Sequence, residues 1–141
     1  MKLKIITTSV IFSLLYFCAK EMVAQSLGYD TLRVPDIYDS RVELFRAMPA
    51  TSKDIVLLGN SITFWGEWNL LLNHKHIRNH GIPGDTSFGV LKRLDEAVRG
   101  NPSAIFLLIG INDIGRNFPD SLIARNYERI VRFIKIKSPR T

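Results

Sequence analysis

The stretch Ile55-Val-Leu-Leu-Gly-Asn-Ser-Ile-Thr-Phe-Trp-Gly-Glu-Trp68 opens with four apolar residues and breaks at Gly59-Asn60-Ser61. A short, uninterrupted apolar run reads as a strand covered on both faces, the usual state inside a parallel sheet. Gly-Asn alone is enough to turn the chain there. Ser61 therefore has two readings: a cap for the short helix that follows, or a hydroxyl nucleophile held on a strand-to-helix turn.

The surroundings repeat the pattern. Ala104-Ile-Phe-Leu-Leu-Ile109 is a second buried strand, again ending at glycine, and Ile77-Arg-Asn79 is a weaker one before the turn signal Gly81-Ile-Pro-Gly84. Between them the spacing changes to that of helices. Val42, Phe45 and Met48 mark a helix over residues 38–48 that stops at Pro49, and residues 67–73 suit a short one. Thr86 is placed to cap a helix carrying Val90, Leu91, Leu94, Ala97 and Val98 on one side, closed by Gly100-Asn-Pro102. Pro119-Asp120 opens a last helix with Ile123, Tyr127, Ile130 and Ile134 on one side. Strands alternating with helices predict a three-layer α/β/α fold with a parallel sheet. In such folds ligands gather at the carboxyl ends of the strands. Ser61, Gly84, Asn112 and Asp113 all fall there.

The chain has 141 residues, 46% hydrophobic and 23% charged, which suits one domain. Lys2 and Lys4 precede an apolar segment from Ile5 to Ala19 and a more polar exit, which predicts a signal peptide over residues 1–25. The apolar part falls short of the roughly 20 residues a membrane span needs. The expectation is a secreted or periplasmic bacterial protein, with residues 26–37 as an irregular lead-in and 38–141 as the domain. Cys18, the only cysteine, lies in the segment to be removed, so no disulfide or thiol chemistry is expected. The formal charge of +6 is concentrated at the end: from Arg125 onward there are six basic residues and one acidic. A basic face on one terminal helix is a solvated face, and no nucleic-acid partner is expected.

Acyl transfer needs a nucleophile on a tight turn, a base, and donors where negative charge develops on the carbonyl oxygen. Ser61 sits where the nucleophile would. Its own N–H, the Gly84 N–H and the Asn112 amide could form a three-donor oxyanion hole. Asn60, Asp85 and Asp113 flank the three as supporting residues. Each also has a plainer explanation: Pro83-Gly84 suits the centre of a type II turn, and Asn112-Asp113 could serve the backbone of a loop. Their arrival at one sheet edge favours chemistry. Trp65 and Trp68 could line a sugar-stacking wall or pack inward. The three histidines fall in His74-Lys-His-Ile-Arg-Asn-His80, whose spacing fits no metal motif and reads as an exposed polar connector. No metal or organic cofactor is implied.

The segments Gly59-Asn60-Ser61-Ile62, Gly81-Ile-Pro-Gly84-Asp85-Thr86 and Gly110-Ile-Asn112-Asp113 resemble, in order and spacing, the first three sequence blocks of the SGNH, or GDSL-type, esterases. The resemblance covers residues 38–139 and is nearest to bacterial acetylhydrolases of the platelet-activating-factor acetylhydrolase and sialate O-acetylesterase kinds. It implies a flavodoxin-like hydrolase fold, Ser61 as nucleophile, and Gly84 and Asn112 completing the oxyanion hole. The implied substrate is a small acyl ester, an acetyl group on a sugar or lipid. Two departures stand out. Asn60 replaces the family's aspartate, and the family's later Asp-x-x-His block has no counterpart in these 141 residues. The resemblance therefore implies the N-terminal portion of such a domain, cut after the third strand and its helix and close to inactive by itself. The alternative is a binding module for acylated glycans without catalysis. A phosphate-gripping flavodoxin-like domain is disfavoured, because no glycine-rich loop opens a helix.

Overall fold

The computed structural model describes residues 30–141; the segment expected to be a signal peptide and the start of the expected lead-in lie outside them. In chain order the elements are α1 (Tyr38–Ala47), β1 (Ile55–Gly59), α2 (Ser61–Phe64), α3 (Trp68–Leu71), β2 (Ile77–Gly81), α4 (Ser87–Lys92), α5 (Leu94–Val98), β3 (Ala104–Leu108), α6 (Ile111–Gly115) and α7 (Asp120–Lys137). The strands form one parallel sheet in the order β2-β1-β3, with Ile55 opposite both Ile77 and Ala104, and Gly59 opposite both Gly81 and Leu108. The α/β architecture with a parallel sheet matches expectation.

Alternation along the strands sorts their side chains between two faces. Val56 and Leu58 point to one face, where they pack with Val90, Leu94, Ala97, Ile109 and Ile130 from α4, α5, the end of β3 and α7. Leu58 and Ile130 are fully buried; burying a side chain of this size contributes about 1.5–3 kcal/mol. A second cluster, Tyr38, Val42, Phe45 and Ile82, seats α1. Arg46 Nε ties α1 to Glu96 of α5 at 2.8 Å.

The opposite face is covered only at β2. There the Asn79 amide reaches the carbonyls of Thr63 (2.9 Å), Phe64 (3.1 Å) and Gly66 (3.3 Å), drawing α2 onto the strand. The rest forms an apolar groove of about 420 Å³ lined in part by Ile55, Leu57, Trp68, Leu72, Phe106 and Leu108. Here the expectation of a third strand buried on both faces fails. β3 lies at the sheet edge, with Phe106 62% and Leu108 48% exposed. Its hydrophobic run reads like that of an interior strand because sequence pattern reports preference, and the neighbours decide what is covered.

The single helix expected after Thr86 is two. Arg93, at φ −122° and ψ 20°, separates α4 from α5. The last helix begins where Pro119-Asp120 indicated. Its arginines and lysines at positions 125, 129, 132 and 135 are all exposed, the solvated face foreseen. Among the described residues, no helix is long and apolar enough to cross a membrane.

Candidate active site

Ser61 is the first residue of α2 and is half-buried. The cap of that helix is Asn60, whose Oδ1 accepts the Ile62 N–H at 3.0 Å. The cap read for Ser61 thereby belongs to its neighbour. The turn is tight. A Cβ at Gly59 would collide with Thr63 Oγ1 and come within 2.6 Å of the Leu108 carbonyl, so only glycine fits under the helix.

The Gly84 turn comes from the neighbouring strand. Ile82 N–H donates to the Gly59 carbonyl at 3.1 Å, and Gly81 packs so closely on Phe64 that a Cβ there would strike the α2 backbone. Asp85 N–H then donates to the Ile82 carbonyl at 3.1 Å, with Gly84 at φ +77°. This is the type II geometry read from Pro83-Gly84, in which the positive φ favours glycine. The Gly84 carbonyl is held by Arg116 Nη2 at 3.2 Å.

Asn112 and Asp113 lie on α6, after β3. Asn112 is half-buried, and its Nδ2 donates to the Asp85 carbonyl at 2.7 Å. Two of the proposed oxyanion donors are therefore linked through the residue next to Gly84. Asp113 is fully buried and has a different task. Its carboxylate accepts the Ser87 N–H at 3.0 and 3.1 Å and the Ser87 Oγ–H at 2.5 Å, while Asn126 Nδ2 donates to that same Oγ at 2.8 Å. Thr86 makes no capping hydrogen bond. The start of α4 is capped from across the fold by Asp113.

Sequence reasoning missed Arg93, which is 2% exposed. Its Nε donates to Asp85 Oδ2 at 3.0 Å, Nη1 to the His80 carbonyl at 2.8 Å and Nη2 to the Gly59 carbonyl at 3.0 Å. Gly89 leaves room for the Asp85 carboxylate, which a Cβ would overlap. Burial pushes the Asp85 carboxyl above its ordinary value, against the opposing pull of Arg93 and the N–H of Thr86. The available signal was a cation at a position where the apolar helical pattern called for a hydrophobic residue.

The histidines also correct expectation. His74 is exposed and His76 half-buried, 3.6 Å from Asp54, and both precede β2 at the amino end of the sheet. His80 is no exposed connector. It lies inside β2, buried and stacked on Phe45 with ring centroids 4.1 Å apart, and its Nδ1 has no hydrogen-bond partner. Burial, followed by the nearby arginines, pulls its pKa down from 6.5 to about 3. Of the tryptophans, Trp65 is 74% exposed, and Trp68 is half-buried with its Nε1 on the Thr63 carbonyl at 2.6 Å. Among the described residues, no three His, Cys, Asp or Glu side chains group as a metal site would need.

The comparisons with known proteins bear on the family and the fold. No curated protein matches the chain. A solved structure from Streptococcus pneumonia, described as that of a candidate platelet activating factor, is 27% identical with a TM-score of 0.66, over 88% of this chain. The chain spans 57% of the length of that protein. Residues 57–141 match the sequence model of the GDSL-like Lipase/Acylhydrolase family, beginning inside β1 and taking in Ser61, Gly84 and Asn112. With more than half its residues inside that match and the fold in agreement, the chain belongs to the GDSL-like lipase/acylhydrolase family.

Proposed function

We propose that the protein serves ester hydrolysis through an acyl-enzyme on Ser61, with the Ser61 and Gly84 N–H groups and the Asn112 amide stabilising the oxyanion. One observation carries this reading: the Ser61, Gly84 and Asn112 segments leave adjacent strands at one sheet edge and are joined through Ile82 N to Gly59 O and Asn112 Nδ2 to Asp85 O. Ser61 Oγ would attack the acyl carbon while a base takes its proton, the alcohol would leave carrying a proton, and water would release the acid. The proposed substrate is a small acyl ester of a carbohydrate or lipid, acetyl first among them. None of the three histidines is assigned the base. The proposal assigns that step, and the aspartate orienting it, to a segment corresponding to the relative's further length. In this reading the 141 residues hydrolyse esters poorly on their own, and residues 1–25 direct export.

The test is acetylation of the chain by p-nitrophenyl acetate, with imidazole added as external base, followed by peptide mapping. An acetyl group on Ser61, absent from Ser61→Ala, is the expected result. Labelling confined to lysines would overturn the assignment.

The placement of His74 and His76 at the far end of the sheet supports a second reading, a non-catalytic module for acylated glycans. Saturable binding of an acetylated oligosaccharide with no adduct on Ser61 would favour it.

A further inference from the structure

Arg93 binds three parts of the chain that frame the candidate site. Its Nη2 holds the carbonyl of Gly59, two residues before Ser61. Its Nη1 holds the carbonyl of His80, four residues before Gly84. Its Nε and Nη2 hold Asp85, the residue after Gly84, at 3.0 and 2.9 Å. The guanidinium is planar, with donors in a fixed fork, so these acceptors are fixed relative to one another as well as to the arginine. A folding role alone would not require this choice. A buried ion pair is weak evidence for stability, since hydrophobic residues of similar volume often do as well. The backbone at Arg93 also leaves helical geometry, between α4 and α5.

We propose that Arg93 is a positioning residue, which sets the spacing between the Ser61 turn and the Gly84 N–H by clamping the ends of β1 and β2 to Asp85. This rests on the reading of Ser61 as nucleophile and Gly84 as oxyanion donor. Arg93 touches neither substrate nor the reacting atoms. Its effect runs through two carbonyls and one carboxylate, and it acts on the step in which charge develops. Misplacement of reacting groups by about 1 Å costs on the order of a hundredfold in rate. Lysine keeps the charge for Asp85, but a single ammonium on a flexible stem does not reproduce the fork to two carbonyls and a carboxylate.

The test follows the reaction of the chain with an alkyl fluorophosphonate by intact mass, with imidazole as external base. Ser61 Oγ bonds to phosphorus, fluoride leaves, and the hydroxyl proton passes to imidazole. Saturation kinetics separate the maximal rate from the half-saturating concentration. For Arg93→Lys and Arg93→Gln, each checked for folding by circular dichroism, the maximal rate should fall about tenfold or more while the half-saturating concentration stays within about twofold. The amide resonances of Ser61 and Gly84 should shift while those of β3 stay. A folded Arg93→Lys chain that labels at the wild-type rate would overturn the proposal. Failure of both variants to fold would leave Arg93 a folding residue only, and would overturn it too. Absence of labelling in the wild-type chain would instead remove the nucleophile reading beneath it.

Discussion

Asn112 Nδ2 donates to the carbonyl oxygen of Asp85 at 2.7 Å, so a side chain from α6 is oriented by the backbone that follows Gly84. A carboxamide nitrogen carries two hydrogens. One is spent on Asp85, and the second remains for a ligand. The bond therefore orients the donor without consuming it, and it makes the Gly84 turn and the β3 end one unit.

Asp113, beside it, is the stability counterpart. Asp113→Ala leaves the buried Ser87 N–H and Oγ without their acceptor. Unsatisfied buried donors and a lost cap should together cost about 2–4 kcal/mol, read as a lower urea midpoint. Asp113→Asn should lose less. Equal losses would contradict the cross-fold cap.

Asn60 replaces the family's aspartate, yet it caps α2 through Oδ1. Asparagine and aspartate rank together as caps, so Asn60→Asp should change stability by no more than about 0.5 kcal/mol, whereas Asn60→Ala should cost about 1 kcal/mol. Thermal unfolding of the two variants checks this. A large loss in Asn60→Asp would point to a partner for the Asn60 amide that a carboxylate cannot serve.

His80 should make the fold acid-sensitive. Unfolded, the imidazole takes up a proton below about 6.5; folded, it does so only below about 3. Between those values the unfolded chain holds the extra proton, so acid favours unfolding. Stability should drop by up to about 1.4 kcal/mol per pH unit from this group alone as pH falls through the window. His80→Phe keeps an aromatic ring on Phe45 and leaves the His80 carbonyl bond to Arg93 in place, and should flatten the urea-midpoint profile between pH 6 and about 4. An unchanged slope would show that His80 is not the source.

Phe106 projects from the edge strand with 62% of its surface exposed. Exposed apolar edges pair with one another unless a charge intervenes. Phe106→Lys should lower self-association in light scattering while changing stability by less than about 1 kcal/mol. Unaltered association would place the adhesive surface elsewhere.

Much of this was legible because it depends on local rules. The apolar runs marked β1 and β3, and glycine at 59 and 110 marked where those runs stop. Proline before Gly84 specified a turn that the structure reproduces. The three blocks together placed Ser61, Gly84 and Asn112 at one edge. The rest was hidden because it depends on distant partners. Arg93 looks like one more charged residue within a helix until Asp85 and two strand-end carbonyls come to meet it. His80 looks polar and exposed until Phe45 of α1 covers it. Asp113 reads as a loop residue, and only the approach of Ser87 and Asn126 makes it a cap. Exposure of β3 had no local signature.

The position of β1 between two parallel partners has one further consequence. Among the described residues its amides lie on the one strand flanked on both sides by hydrogen-bonded neighbours, so in heavy water their protons will be the last in the sheet to be replaced by deuterium. The outward-facing amides of β3 will be replaced early. The peptide that presents Ser61 is thus anchored to the slowest-opening backbone of the sheet, and the one that presents Asn112 to an edge.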